Sequence, residues 1–169
     1  MTTRDFCIKW LAYGLALLPV WLLELFVLSR YPFMGTKPML LPLAAVAVAA
    51  LEGPSGGAGF GLAVGVLFDA SAGLSGFGVA LLTAIGLGAG LLARYVLRQN
   101  LLGCFLCSVL ALLLLDAFRI LPRLLLELAA PQVLVTVAGK ELLWSLCFVP
   151  PVYLIFRWVF DRVPKATVF

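Results

Sequence analysis

Residues 53 to 73 read GPSGGAGFGLAVGVLFDASAG, with a glycine or an acid at every fourth position. The repeated positions are Gly53, Gly57, Gly61, Gly65, Asp69 and Gly73. On an α-helix, residues four apart lie on one face, so these glycines form a smooth surface that a second helix can approach closely. Asp69 adds a carboxylate toward one end. The pattern, which we call the glycine face, indicates a helix-packing or partner-binding surface within a membrane.

The composition indicates an integral membrane protein. Apolar residues make up 64% of the 169 residues and charged residues 12%, with a mean hydropathy of +1.15, whereas soluble domains contain about 25% charged residues. A helix needs roughly 20 residues to cross the hydrocarbon, so we expect one all-α transmembrane domain over residues 1–169 with about six spans. The predicted spans are 10–28, 39–51, 56–69, 79–97, 101–118 and 142–160. The last span begins after the polar run Gly139-Lys140-Glu141, which we expect to interrupt the helix, and Pro150-Pro151 should kink it. We expect the amphipathic stretch 119–132 to lie in the interface.

The N-terminal span has the basic flank of a signal peptide, in Arg4 and Lys9. Its apolar core is long, and no small-x-small cleavage site follows, so we expect it to be retained as an anchor. With the N-terminus inside, 7 basic residues lie on the inner side and 5 on the outer side. This bias favours a topology with both termini in the cytoplasm.

Four charged residues lie toward the outward ends of the predicted spans: Glu24, Asp69, Asp116 and Arg119. An acid at mid-membrane costs roughly 2.5 to 3.5 kcal/mol on insertion scales, so such side chains face protein or water. One hypothesis is an outward polar site for an ion, a ligand or a partner's basic side chain. The other is that the acids pair with Arg30, Arg119 or Lys140. The glycine face leaves a similar choice, between packing within this bundle and a groove for a partner helix.

Several classes of function are disfavoured. The chain has no histidine, which removes the commonest general base and metal ligand. Cys104 and Cys107 could form a redox pair or half of a zinc site, but small helix-packing residues are the favoured interpretation. No phosphate loop, HExxH, GxSxG or calcium-loop motif is present, and the basic residues are dispersed. We therefore expect no enzyme, no metal, no cofactor and no nucleic acid; a membrane-embedded protease or lipid transferase would need a base beside a nucleophile.

The glycine face resembles the core of the bacterial rod shape-determining protein MreD. That family tends to show a glycine-stepped third helix that ends in a GxLxD-type run and a small-residue turn, as residues 53–73 do here. Residues 78–92 resemble its next helix, and Pro151-Val152-Tyr153-Leu154-Ile155-Phe156-Arg157 resembles a late motif. One departure is Gly76-Phe77-Gly78, where the family commonly has Pro-Leu-Gly.

The resemblance implies a non-enzymatic, multi-pass subunit of the cell-elongation (rod shape) complex in the bacterial inner membrane, which supports lateral peptidoglycan synthesis. The implied partners are MreC, MreB, RodA and a class B penicillin-binding protein, besides membrane lipid. MreC or another partner would dock on the Gly57, Gly61, Gly65 and Asp69 face and on the outward loops.

The family is also similar in fold to the substrate-binding membrane subunits of energy-coupling-factor transporters. The alternative is therefore a small-molecule-binding subunit of a vitamin or ion transporter, with Glu24, Asp69 or Asp116 near the ligand. The outer loops supply few aromatic or polar residues to hold a vitamin, which disfavours that alternative.

Overall fold

The structure is a computed structural model that describes residues 3–28, 30, 37–72, 76–95, 101–125 and 131–163. Within these ranges all regular structure is helical, which confirms the predicted all-α class. The helices are α1 (Thr3–Leu22), α2 (Leu40–Glu52), α3 (Pro54–Ala72), α4 (Phe77–Tyr95), α5 (Leu101–Leu125), α6 (Pro131–Cys147) and α7 (Val149–Arg162). A π-helical turn, Leu23–Leu28, extends α1.

The central element of the bundle is α2. Its sequence LLPLAAVAVAALE is apolar on every side, and every residue from Leu40 to Leu51 is buried. It packs against α1, α3, α4, α5 and α7. An apolar helix of this kind is stable only where protein or lipid surrounds it. Its 13 residues extend about 20 Å, which is shorter than the hydrocarbon thickness of about 30 Å.

A single glycine joins α2 to α3. Gly53 has φ +84°, a left-handed conformation that favours glycine, and its N–H donates to the Ala49 carbonyl at 3.0 Å. Pro54 then begins α3, where the fixed φ of proline suits a first helical residue. The two helices therefore turn sharply against each other.

Three helical segments are long and apolar enough to cross a membrane: Arg4–Leu28, Phe77–Tyr95 and Leu101–Leu121. A bend of 42° separates two further helical segments, Leu134–Cys147 and Val149–Arg162, which together would add a fourth, bent span. These segments indicate a multi-pass membrane protein. Their number among the described residues is below the predicted six, and the central helix Leu40–Glu52 is apolar but short.

The helices of the C-terminal half differ from the predicted ranges. Helix α5 continues through Arg119 to Leu125, so the first part of the predicted interfacial stretch 119–132 extends this helix; residues 126–130 lie outside the described ranges. Helix α6 begins at Pro131 and runs through Gly139, where the sequence suggested an interruption.

The predicted kink near Pro150-Pro151 takes the form of a helix boundary, at which α6 and α7 are bent by 42°. The break is at Phe148, and Pro150 lies in the first turn of α7. Proline is tolerated there because the first N–H groups of a helix need no intrahelical partner.

Candidate functional site

The glycine face of α3 packs against α4. At three glycines, an added Cβ would lie 2.5 to 2.6 Å from a backbone atom of α4, whereas carbon atoms in ordinary contact are about 3.5–4.0 Å apart. The pairs are Gly57 with the Gly86 carbonyl oxygen, Gly61 with the Leu82 carbonyl oxygen, and Gly65 with the Val79 Cα. Since α4 fills this face, a partner helix could dock there only by displacing it. Gly73 lies outside the described residues.

Asp69, the next step of the same face, caps α4. Its carboxylate oxygens accept hydrogen bonds from the N–H groups of Gly78 (3.0 Å) and Val79 (3.1 Å), and the side chain is buried. These are the second and third residues of α4, whose N–H groups have no partner within the helix. A carboxylate there is also favoured by the helix dipole. Asp69 is thus a cap supplied by a neighbouring helix, a role that neither of its two sequence hypotheses included.

Glu24 caps α2 in a similar way. It lies in the π-helical turn after α1, and its Oε2 accepts hydrogen bonds from the N–H groups of Leu40 (3.1 Å) and Leu41 (2.9 Å). The preceding N–H, of Met39, donates to the Ser145 Oγ at 3.0 Å. Side chains of α6 and of the extended α1 therefore accept hydrogen bonds from the backbone N–H groups at the start of the buried central helix.

A polar cleft of about 270 Å³ lies beside this cap. It is lined by Glu24, Leu25, Lys37, Pro38, Met39, Phe68, Ser71, Arg119 and Glu141. The Arg119 guanidinium lies 3.5 Å from the Glu141 carboxylate and 5.8 Å from the centre of the Phe68 ring. With two acids and two bases, the cleft is suited to a small polar or zwitterionic ligand rather than to a strongly charged one.

The cleft contains two of the four predicted polar residues, Glu24 and Arg119. Asp116 is buried one helical turn before Arg119 on α5, and it does not line the cleft. Arg119 contacts Glu141, a pairing that the sequence hypotheses did not include. Glu141 was overlooked because the polar run Gly139-Lys140-Glu141 was interpreted as a break between helices.

A second polar cluster, at the opposite end of α2, was not predicted at all. Glu52, the last residue of α2, forms an ion pair with Lys9 of α1 and accepts a hydrogen bond from the Tyr13 hydroxyl at 2.7 Å. The side chains of Lys9 and Glu52 are only 10% and 11% exposed. The Tyr13 ring packs against Phe60 and Phe156, so aromatic side chains flank the cluster.

The cysteine pair packs inside the bundle. Cys104 and Cys107 are buried and in the free thiol form, and the Cys107 Sγ lies 3.9 Å from the Ala89 carbonyl oxygen of α4. Among the described residues, no three His, Cys, Asp or Glu side chains are grouped so as to hold a metal ion.

Comparison with known proteins leaves the family of this chain open. No protein-family model matches the sequence, and neither a curated protein nor a solved structure matches it. A functional assignment therefore depends on the residues and their geometry.

Proposed function

We propose that this chain is a non-enzymatic, multi-pass membrane subunit of the bacterial cell-elongation complex, of the MreD type. In this role it docks partner proteins, MreC first among them, and supports lateral peptidoglycan synthesis by RodA and a class B penicillin-binding protein. The actin-like MreB belongs to the same complex. The chain has both termini in the cytoplasm and about six membrane passes, with α2 as a short internal one.

One observation carries the proposal. The residues on which the resemblance rests form a single packed unit, in which the glycines of α3 lie against α4 and Asp69 caps the N-terminus of α4. The departure at Gly76-Phe77-Gly78 is compatible with this unit, because Gly76 takes φ +84° and Gly78 lies against the Asp69 carboxylate. Helix packing and capping therefore explain the glycine repeat and the acid that follows it, without a catalytic role for Asp69.

The docking surface that the sequence predicted, the glycine face, is covered by α4. We place partner docking at the outward end of the bundle, around the polar cleft. Arg119 is 41% exposed there, so its guanidinium can contact an acidic side chain of a partner in addition to Glu141. The cleft is polar enough to give specificity at a membrane surface where apolar contacts alone discriminate poorly.

Depletion tests the proposal directly. In a rod-shaped bacterium that depends on this chain, loss of the protein should convert rods to spheres and should stop incorporation of labelled peptidoglycan precursor along the side wall. Cells that keep their rod shape and side-wall labelling after depletion would refute the assignment.

Docking is tested by co-purification of MreC with tagged protein. Arg119→Ala should lower MreC recovery, whereas Lys140→Ala is the matched control, because Lys140 is an exposed base on α6 that does not line the cleft. Equal recovery with both variants, at equal membrane levels, would exclude the cleft as the docking surface.

The alternative, a ligand-binding transporter subunit, is supported by the same cleft. Its volume of about 270 Å³ and its lining of Glu24, Lys37, Arg119 and Glu141 are compatible with a small polar molecule. Native mass spectrometry of detergent-extracted protein distinguishes the two functions. A small-molecule adduct that Glu141→Gln abolishes would favour the transporter; adduct-free protein that retains MreC would favour the elongation complex.

A further inference from the structure

An apolar groove runs between α1 and α7, and it shares no lining residue with the polar cleft. It has a volume of about 580 Å³ and is lined by Ala12, Leu15, Ala16, Leu154, Ile155, Trp158, Val159, Arg162 and Val163. Eight of these nine side chains are apolar, and Arg162 is the exception. Two of the lining residues, Ala12 and Ala16 of α1, are small and partly buried.

The single cation is held at the end of the groove. The Arg162 guanidinium lies 3.8 Å from the centre of the Trp158 ring, and such stacking fixes the direction of an otherwise flexible side chain. Arg162 ends α7, and tryptophan and arginine at the end of an apolar helix mark the level of the lipid headgroups. Asp161 precedes Arg162 but does not line the groove.

We propose that this groove binds one anionic phospholipid, with an acyl chain between α1 and α7 and the headgroup phosphate on Arg162. The charge pattern supports this occupant, because an amphiphile with an apolar chain and an anionic headgroup complements an apolar groove that ends in one guanidinium. Basic pockets between helices on the cytoplasmic side are known to bind such headgroups.

A partner helix fits the groove less well. A helix about 10 Å across with a 5.4 Å pitch fills roughly 420 Å³ per turn, so a volume of about 580 Å³ accommodates fewer than two turns. A spanning helix would therefore contact mainly the exposed rims, such as Leu15 and Leu154, and would leave the groove itself unfilled.

The test compares phosphatidylglycerol with phosphatidylcholine, each added to delipidated protein and counted by native mass spectrometry. We expect the wild-type protein to prefer phosphatidylglycerol about fivefold, the factor for one basic residue at an anionic surface. Arg162→Gln should abolish the preference. Arg157→Gln is the control, since Arg157 lies on the same helix, is exposed and stacks over Tyr153 instead.

A second variant tests the groove itself. Ala16→Phe should fill the groove and reduce the binding of both phospholipids while Arg162 is intact. Thermal unfolding in detergent checks that the variant is folded. Equal losses in Arg162→Gln and Arg157→Gln would show a diffuse charge effect and would overturn the proposal. Undiminished lipid binding by folded Ala16→Phe would also overturn the proposal. So would a copurifying protein that occupies the groove in place of lipid. None of these outcomes depends on the proposed cellular role.

Discussion

Alanine substitution at Gly61 tests the packing of α3 against α4, and Gly59 provides a matched control. Both glycines lie in the middle of α3, two residues apart. An added Cβ at Gly61 would lie 2.5 Å from the Leu82 carbonyl oxygen and 3.3 Å from the Thr83 Cα, whereas at Gly59 it would meet no atom within 4 Å. The two substitutions are chemically identical and differ only in what surrounds the new methyl group.

The expected free energies follow from two terms. In a helix interior, alanine is favoured over glycine by about 0.8–1.0 kcal/mol, and this term applies equally at both positions. Forcing a methyl group into a closely packed interface costs about 1–3 kcal/mol, and this term applies at Gly61 alone, because the obstructing atoms are backbone. We expect Gly59→Ala to be neutral or stabilising and Gly61→Ala to be less stable than Gly59→Ala by about 1–3 kcal/mol.

The assay is reversible unfolding in mixed micelles, in which the fraction of sodium dodecyl sulfate is raised and tryptophan fluorescence is followed. The 4 tryptophans of the chain provide the signal. Equal unfolding midpoints for the two variants would refute the argument, since the glycine face would then not be in close contact with α4.

The same comparison can be repeated on the facing helix. A Cβ at Gly86 would collide with the Gly57 carbonyl oxygen, whereas one at Gly88 would meet nothing within 4 Å. Gly86→Ala should therefore be less stable than Gly88→Ala by a similar amount. Agreement between the two pairs would assign the effect to the interface, because the helices differ in neighbouring sequence.

Substitutions at three further sites, namely Asp69, the Lys9–Glu52 pair and Gly76, are checked by the same unfolding assay. Asp69→Ala should cost about 0.5–2 kcal/mol by removing the cap of α4, and Asp69→Asn less, because an amide oxygen still accepts one bond; equal losses would contradict the cap. Glu52→Gln should cost about 3–5 kcal/mol, since the buried Lys9 ammonium loses its partner, and adding Lys9→Met should recover part of the loss; no recovery would mean that the charges are not coupled. Gly76→Ala should cost about 1–2 kcal/mol, because φ is +84° at this position and no neighbouring atom obstructs the added methyl group; a neutral result would mean that the left-handed conformation is not required there.

The glycine face shows how much of this fold is present in the sequence. A four-residue repeat of glycine specifies both a helix and the side on which a neighbour approaches. The position of the neighbour could not be read from the repeat itself, because a partner chain and α4 would leave the same pattern on α3. Only the placement of Gly86 and Leu82 opposite the repeat distinguishes them.

The polar residues were harder to predict. Asp69 and Glu24 were identified as acids at the ends of spans, yet their hydrogen-bond partners are backbone N–H groups of the next helix. Every helix start presents such groups, so sequence alone does not indicate which one an acid reaches. The pairing of Lys9 with Glu52 joins residues 43 positions apart, and it depends on the antiparallel arrangement of α1 and α2.

The short central helix explains why acids lie at depth in this chain. With about 20 Å of length in hydrocarbon of about 30 Å, α2 cannot place both of its ends in water, and unsatisfied backbone groups in lipid are too costly to persist. Glu24 satisfies the first N–H groups of α2, while Lys9 and Tyr13 hold the carboxylate at its end. All three side chains come from α1 or its π-helical extension, so polar side chains of one helix contact both ends of α2. An acid that is required for folding can still line a cleft, as Glu24 does; its depth in the membrane is therefore not by itself an argument for a ligand.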